Sequence, residues 1–201
     1  MLRTSITRAD ILPIADYARR RAELRRQSIA RKQHRRLPVG PYAMLYFENF
    51  DTMLAQVHEM LFIERGGEAQ LADELEAYNP LVPQGSELVA TLMFEIEDEM
   101  RRHRLLSALG GVEYQVALWL GDERVTAVPE RDVERTTADG KASSVHFLHF
   151  PFTAAQIAAF RNPATRITAA IEHPNYGHAA VVPESVRRAL AEDFGSGDAP
   201  E

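Results

Sequence analysis

Strand and helix signals alternate irregularly along these 201 residues, and that irregularity decides the fold class. Short runs rich in β-branched and aromatic residues, at 42–47, 88–96, 116–120, 125–128, 145–150 and 166–171, read as strands. Helices are expected where apolar residues recur three and four apart. The clearest is 50–65, carrying Phe50, Met53, Leu54, Val57, Met60 and Leu61 and closed by Gly66-Gly67; others fall at 69–78, 98–109, 153–160 and 183–194. Two strands, 116–120 and 125–128, are separated by little more than Gly121-Asp122, a hairpin signal. Such a chain builds an α/β protein of the α+β type, with a mixed or mainly antiparallel sheet and helices packed on it, rather than a doubly wound parallel sheet. No GxGxxG, P-loop or GxSxG sequence is present.

The amino-terminal segment differs in charge from the rest. Asp10 and Pro13 open a long helix whose apolar stripe of Ile14, Tyr17, Ala18, Leu24 and Ile29 is incomplete, and Leu37-Pro38 stops it. Of the chain's 23 Lys and Arg, 11 lie in residues 1–36, against only 3 of its 29 Asp and Glu. The remainder is strongly acidic, so this segment is expected to dock as a basic helical arm on a single domain spanning 1–194, with 195–201 a disordered tail. Nucleic-acid binding through 19–36 is the lesser reading of the same charge, because the overall balance is acidic.

With no cysteine, the chain has no disulfide, thiolate zinc site, iron–sulfur ligation or cysteine nucleophile of its own. Any metal must be held by His, Asp, Glu or Tyr. No apolar run approaches the roughly 20 residues that cross a bilayer, and MLRTSITRADILP lacks the pattern of a secretory signal, so a cytoplasmic location without membrane insertion is expected.

Three polar clusters carry candidate chemistry. In Glu172-His173-Pro174-Asn175-Tyr176-Gly177-His178, two imidazoles five residues apart across a turn offer nitrogen ligands, with Glu172 or Tyr176 as oxygen donor. Glu48-Asn49 follows a strand, and Thr52, Gln56 and Glu59 share one face of the next helix, offering carboxylates for proton transfer or ligation. In the strand after Ser143, alternation puts Ser144, His146, Leu148 and Phe150 on one face and Val145, Phe147 and His149 on the other. A serine–histidine hydrolase is disfavoured because no nucleophile elbow accompanies that pair. The metal set these clusters allow is His173 and His178 with Glu48, Glu59 or His146, around iron, manganese or zinc; Asn49, Gln56 and Tyr176 complete the polar site. His34, His58 and His103, among charged helical residues, read as solvated.

The segments TRADILPIADYARRRAELRR, VGPYAMLYFENFDTMLAQVHEML, ELEAYNPLVPQGSELVATLMFEIEDE, SSVHFLHF, IEHPNYGH and VPESVRRALAEDF, in this order, resemble the bacterial domain-of-unknown-function family thirty-five-oh-one from about Thr4 to Phe194. Members are typically encoded beside a rubrerythrin and an iron–sulfur oxidoreductase. The resemblance therefore implies an accessory role in a redox or peroxide-stress system, exercised by protein–protein interaction with one of those partners. It supplies no catalytic residues, and the positions shared with the family include Glu48, Asn49, Gln56, Glu59, Asn79, His146, His173, Tyr176 and His178.

Overall fold

The computed structural model describes residues 2–130 and 140–195, so the polar segment 131–141, which reads in sequence as a loop or short helix, and the tail expected at 195–201 lie almost wholly outside the described residues. Helix α1 (Ile14–Gln33) leads into strands β1 (Arg36–Val39) and β2 (Ala43–Glu48), then helices α2 (Phe50–Glu64) and α3 (Gly67–Tyr78). Strand β3 (Glu87–Phe94), helix α4 (Glu99–Ser107) and strands β4 (Val116–Leu120), β5 (Glu123–Thr126), β6 (Val128–Pro129) and β7 (Val145–Pro151) follow. Helix α5 (Ala154–Arg161), strands β8 (Ile167–His173) and β9 (Tyr176–Val181), and helix α6 (Glu184–Ala191) complete the order.

The α+β class is as the sequence implies, and the sheet is in fact two sheets. One runs β1-β2-β3-β7-β6 and the other β5-β4-β8-β9, and every neighbouring pair is antiparallel. The expected hairpin forms, Leu120 facing Glu123 across Gly121, whose φ of 63° is one that glycine adopts without strain. The run expected as one strand at 125–128 is divided: Val125 stays with β4, and Val128 pairs with His149 of the other sheet. Ala127 makes the crossing, its N–H donating to Val116 O at 2.9 Å.

Two strands escaped the sequence pattern, and both are edges. Strand β1 contains Pro38, which lacks the ladder N–H that a central strand needs. Strand β9 carries Gly177 and is mostly exposed, so it shows no apolar alternation. The Asn49 side chain caps helix α2, accepting from Thr52 N–H, and Arg65 rather than the expected glycines takes the left-handed closing position at φ 57°.

Strand alternation assigns each face of the five-stranded sheet to a different core. Leu45, Phe47, Leu88, Leu92, Leu148 and Phe150 pack against Val116, Leu118, Ile167 and Ile171 of the second sheet. The opposite face, represented by Val89 and Phe147, meets Phe50, Met53, Val57 and Leu61 of α2 and Leu71 of α3. The molecule is thus layered as helices, sheet, sheet. Helix α1 lies outermost, with Tyr17 as its only buried residue, which agrees with its incomplete apolar stripe.

Candidate functional site

Tyr17 fastens α1 to α2 through three kinds of contact. Its ring stacks on His58 with centroids 4.9 Å apart and 8° between planes, and meets the Phe62 ring edge-on. Its hydroxyl donates to Glu59 Oε1 at 2.5 Å. One turn on, Arg21 grips the same carboxylate with two bonds of 2.9 and 2.8 Å and lies over Phe62. The Arg21 bonds, foremost, hold the Glu59 carboxyl below the usual carboxylate range, and burial together with Glu59 pushes the Tyr17 phenol far up. His58, expected to be solvated, is buried and accepts the Leu12 N–H on Nε2 at 3.0 Å. Burial lowers its pKa, so the ring is neutral at physiological pH.

This fastening leaves a groove of about 470 Å³ between α1 and α2. Leu24, Leu54 and Ala55 supply apolar wall, while Arg20, Arg25, Arg31 and Lys32 line it with positive charge. Arg31 pairs with Asp51 at 3.3 Å. Among the described residues, Arg20, Arg25 and Lys32 form no ion pair, although Arg25 lies close enough to help hold the Glu59 carboxyl down.

Of the residues singled out in sequence, Glu59 and Gln56 line this groove. Glu48 does not; its carboxylate is buried beneath α2 and accepts the Thr52 and Thr91 hydroxyls at 2.6 and 2.9 Å. Asn49 caps α2 through Oδ1 and also helps hold the Asp193 carboxyl. His146 lies fully buried on the opposite face of the sheet, beside Glu113 at 3.7 Å and with Nε2 donating to Ser143 O at 2.9 Å. It is the Ser143 carbonyl that meets this imidazole nitrogen, while the Ser143 hydroxyl accepts from Val145 N–H at 3.1 Å.

The His173–His178 segment is a β-hairpin rather than a free turn, His173 facing Tyr176 and Ile171 facing His178. His173 is buried with Nδ1 accepting from Asn175 N–H, and the exposed His178 ring packs edge-on against Tyr176 at 4.4 Å. Tyr176 Oη accepts from Tyr42 and Ala43 N–H and donates to Val39 O, each at 2.9 Å, tying the hairpin to the β1–β2 turn. Glu172 points elsewhere, to Trp119 and Arg124. The proposed ligands therefore fall into separate places, and among the described residues no three His, Asp or Glu side chains come together as a metal site.

Sequence reading missed Tyr17, Arg21 and His149 as site-forming residues. His149 is clamped between carboxylates, Nδ1 at 2.9 Å from Glu87 Oε2 and Nε2 at 2.7 Å from Glu130 Oε1. Only the imidazolium donates to both, and the bond to Glu87, followed by that to Glu130, raises the pKa against the effect of burial. A raised histidine stabilises the fold fully below its unfolded pKa of about 6.5 and loses that contribution as pH climbs through the folded value; His58, lowered, loses its contribution as pH falls below about 6.5. Urea unfolding of wild type between pH 6.5 and 8.5 is expected to show falling stability, and His149→Gln is expected to flatten that limb while leaving the acid limb in place. An unchanged alkaline slope in His149→Gln would contradict the clamp.

The fold and groove define a class: a two-sheet α+β protein with an arginine-rich helix fastened on a helix that packs on one sheet. No helix among the described residues is long and apolar enough to cross a membrane. The chain belongs to the family described as protein of unknown function (DUF3501), whose model matches residues 5–194. A crystal structure of a protein of unknown function from Burkholderia pseudomallei K96243 is similar, with 37% identity over 95% of this chain and 100% of that one and a TM-score of 0.88. No curated protein matches.

Proposed function

We propose that this protein is an accessory binding protein that docks an acidic surface of a partner protein in the groove between α1 and α2. The observation that carries the reading is the set of groove cations, Arg20, Arg25 and Lys32, none of them in an ion pair among the described residues, on a chain whose net charge is −6. Clustered charge of one sign on a fixed scaffold steers an oppositely charged partner and sets its register. Tyr17 and Arg21 make the scaffold fixed, since Glu59 holds both. The family resemblance supplies the first partners to test, an iron–sulfur oxidoreductase and a rubrerythrin, in a cytoplasmic redox or peroxide-stress setting. A chain without cysteine has no thiol or cluster electrons to contribute, which suits a helper of such proteins.

The test is co-purification of the tagged protein with the oxidoreductase and the rubrerythrin under reducing, anaerobic, low-salt conditions, for wild type and for the double variant Arg20→Glu/Arg25→Glu. Wild type is expected to retain one of the two and the charge-reversed variant to lose it, with an unchanged thermal midpoint because both arginines are exposed. Equal retention by both proteins, or retention of neither partner by wild type, would count against the reading.

A further inference from the structure

We infer that the element the groove receives is an acidic amphipathic helix of the partner, lying along α1 and α2 as a third helix; this rests on the proposed docking function and names the shape of what docks. The first ground is how the charge is distributed. Arg20, Arg25 and Lys32 are spread over 12 residues of one helix, which is roughly 18 Å at 1.5 Å per residue. Cations so separated do not converge on a single phosphate or carboxylate. Arg25 and Lys32 stand two turns apart and match carboxylates at the same spacing, with Arg20 lining the groove further along α1.

The second ground is the wall between the charges. Leu24 from α1 and Leu54 and Ala55 from α2 are half-buried and face the groove from opposite sides, and Ile29 stands at its rim with 60% of its surface exposed. An apolar strip between two helices, bordered by charge along one of them, is the complement of a helix with an apolar stripe and an acidic flank. A volume of about 470 Å³ takes the side chains of one helical face.

A nucleic-acid strand fits this surface less well. Tyr17, the aromatic ring of α1, is buried against His58 and offers no stacking platform for a base.

The experiment is fluorescence anisotropy with a labelled 18-residue synthetic peptide built from Glu, Leu and Ala so that Leu forms one helical stripe and Glu flanks it. Its companions are a peptide of the same composition with the order scrambled, and a 20-nucleotide single-stranded DNA. The patterned peptide is expected to bind wild-type protein about tenfold more tightly than the scrambled one, and Arg20→Glu/Arg25→Glu to lose about tenfold, a difference of roughly 1.4 kcal/mol in each case. Circular dichroism of the variant keeps a folding defect from passing as lost binding. Equal binding of patterned and scrambled peptides, absence of binding by both, or DNA binding tighter than the patterned peptide would overturn the inference. Co-purification with the oxidoreductase or rubrerythrin that is lost on charge reversal, alongside failure of the patterned peptide, would sink the helix and leave the docking function standing.

Discussion

Arg35→Ala is expected to destabilise the protein by about 3–5 kcal/mol, the range for removing one member of a buried ion pair. Arg35 is only 3% exposed at the junction of α1 and β1. Its guanidinium donates to Phe47 O, Glu48 O and Ala189 O and pairs with Asp193. One side chain thereby joins the arm, the β2–α2 corner and the carboxy-terminal helix. Burial already pushes Asp193 up to about 6, with Arg35 and Asn49 pulling the other way. Without Arg35 that carboxyl is left buried beside unmatched carbonyls, and its remaining recourse is to take up a proton. The deficit measured by urea unfolding should therefore be larger at pH 7.5 than at pH 5, and Arg35→Met combined with Asp193→Leu should recover part of it. A loss below about 1 kcal/mol at pH 7.5 would contradict the placement of Arg35.

The second large effect is expected at Gly40, where the β1–β2 turn meets the β8–β9 hairpin. Its φ is +74°, and a Cβ there would sit 2.5 Å from His178 Cγ and 2.8 Å from Tyr176 Oη. Tyr176 does not yield easily. Tyr176 is held by its three backbone bonds, and its ring packs edge-on against Phe94. Gly40→Ala therefore combines left-handed strain of about 1–2 kcal/mol with a steric clash, for an expected loss of about 2–4 kcal/mol in urea unfolding. Removing the ring in the double variant Gly40→Ala/His178→Ala should return the His178 part of the clash and leave the strain and the Tyr176 contact. If the double variant is no more stable than Gly40→Ala alone, His178 is not the obstacle.

The elements were legible wherever local chemistry decides them. The β4–β5 hairpin follows from Gly121-Asp122, and the starts of α2, α4 and α5 follow from the capping side chains of Asn49, Asp98 and Thr153. What stayed hidden depends on pairing between distant segments. Strand β9 looks like a turn because an edge strand needs no apolar alternation. Alternation in β7 correctly separates His146 from His149, yet only the order β2-β3-β7 reveals that His146 faces the second sheet while Glu48 faces the helices. The row Thr52, Gln56, Glu59 shares a helix face in sequence and divides in space, Thr52 bonding back to Glu48 and Glu59 outward to α1. His58 read as solvated because its neighbours are polar; the Tyr17 ring that covers it arrives from 41 residues earlier, and no local pattern announces that contact.

Hydrogen–deuterium exchange of this protein alone and with whichever of the oxidoreductase and the rubrerythrin it retains in the proposed co-purification tests the docking claim most directly, because it locates the contact without a substitution. The account predicts slowed exchange concentrated in α1, residues 14–33, and in the first half of α2, with the β8–β9 hairpin and the outer face of the second sheet unchanged. Protection confined to that hairpin or that sheet, with α1 exchanging at its free rate, would contradict it.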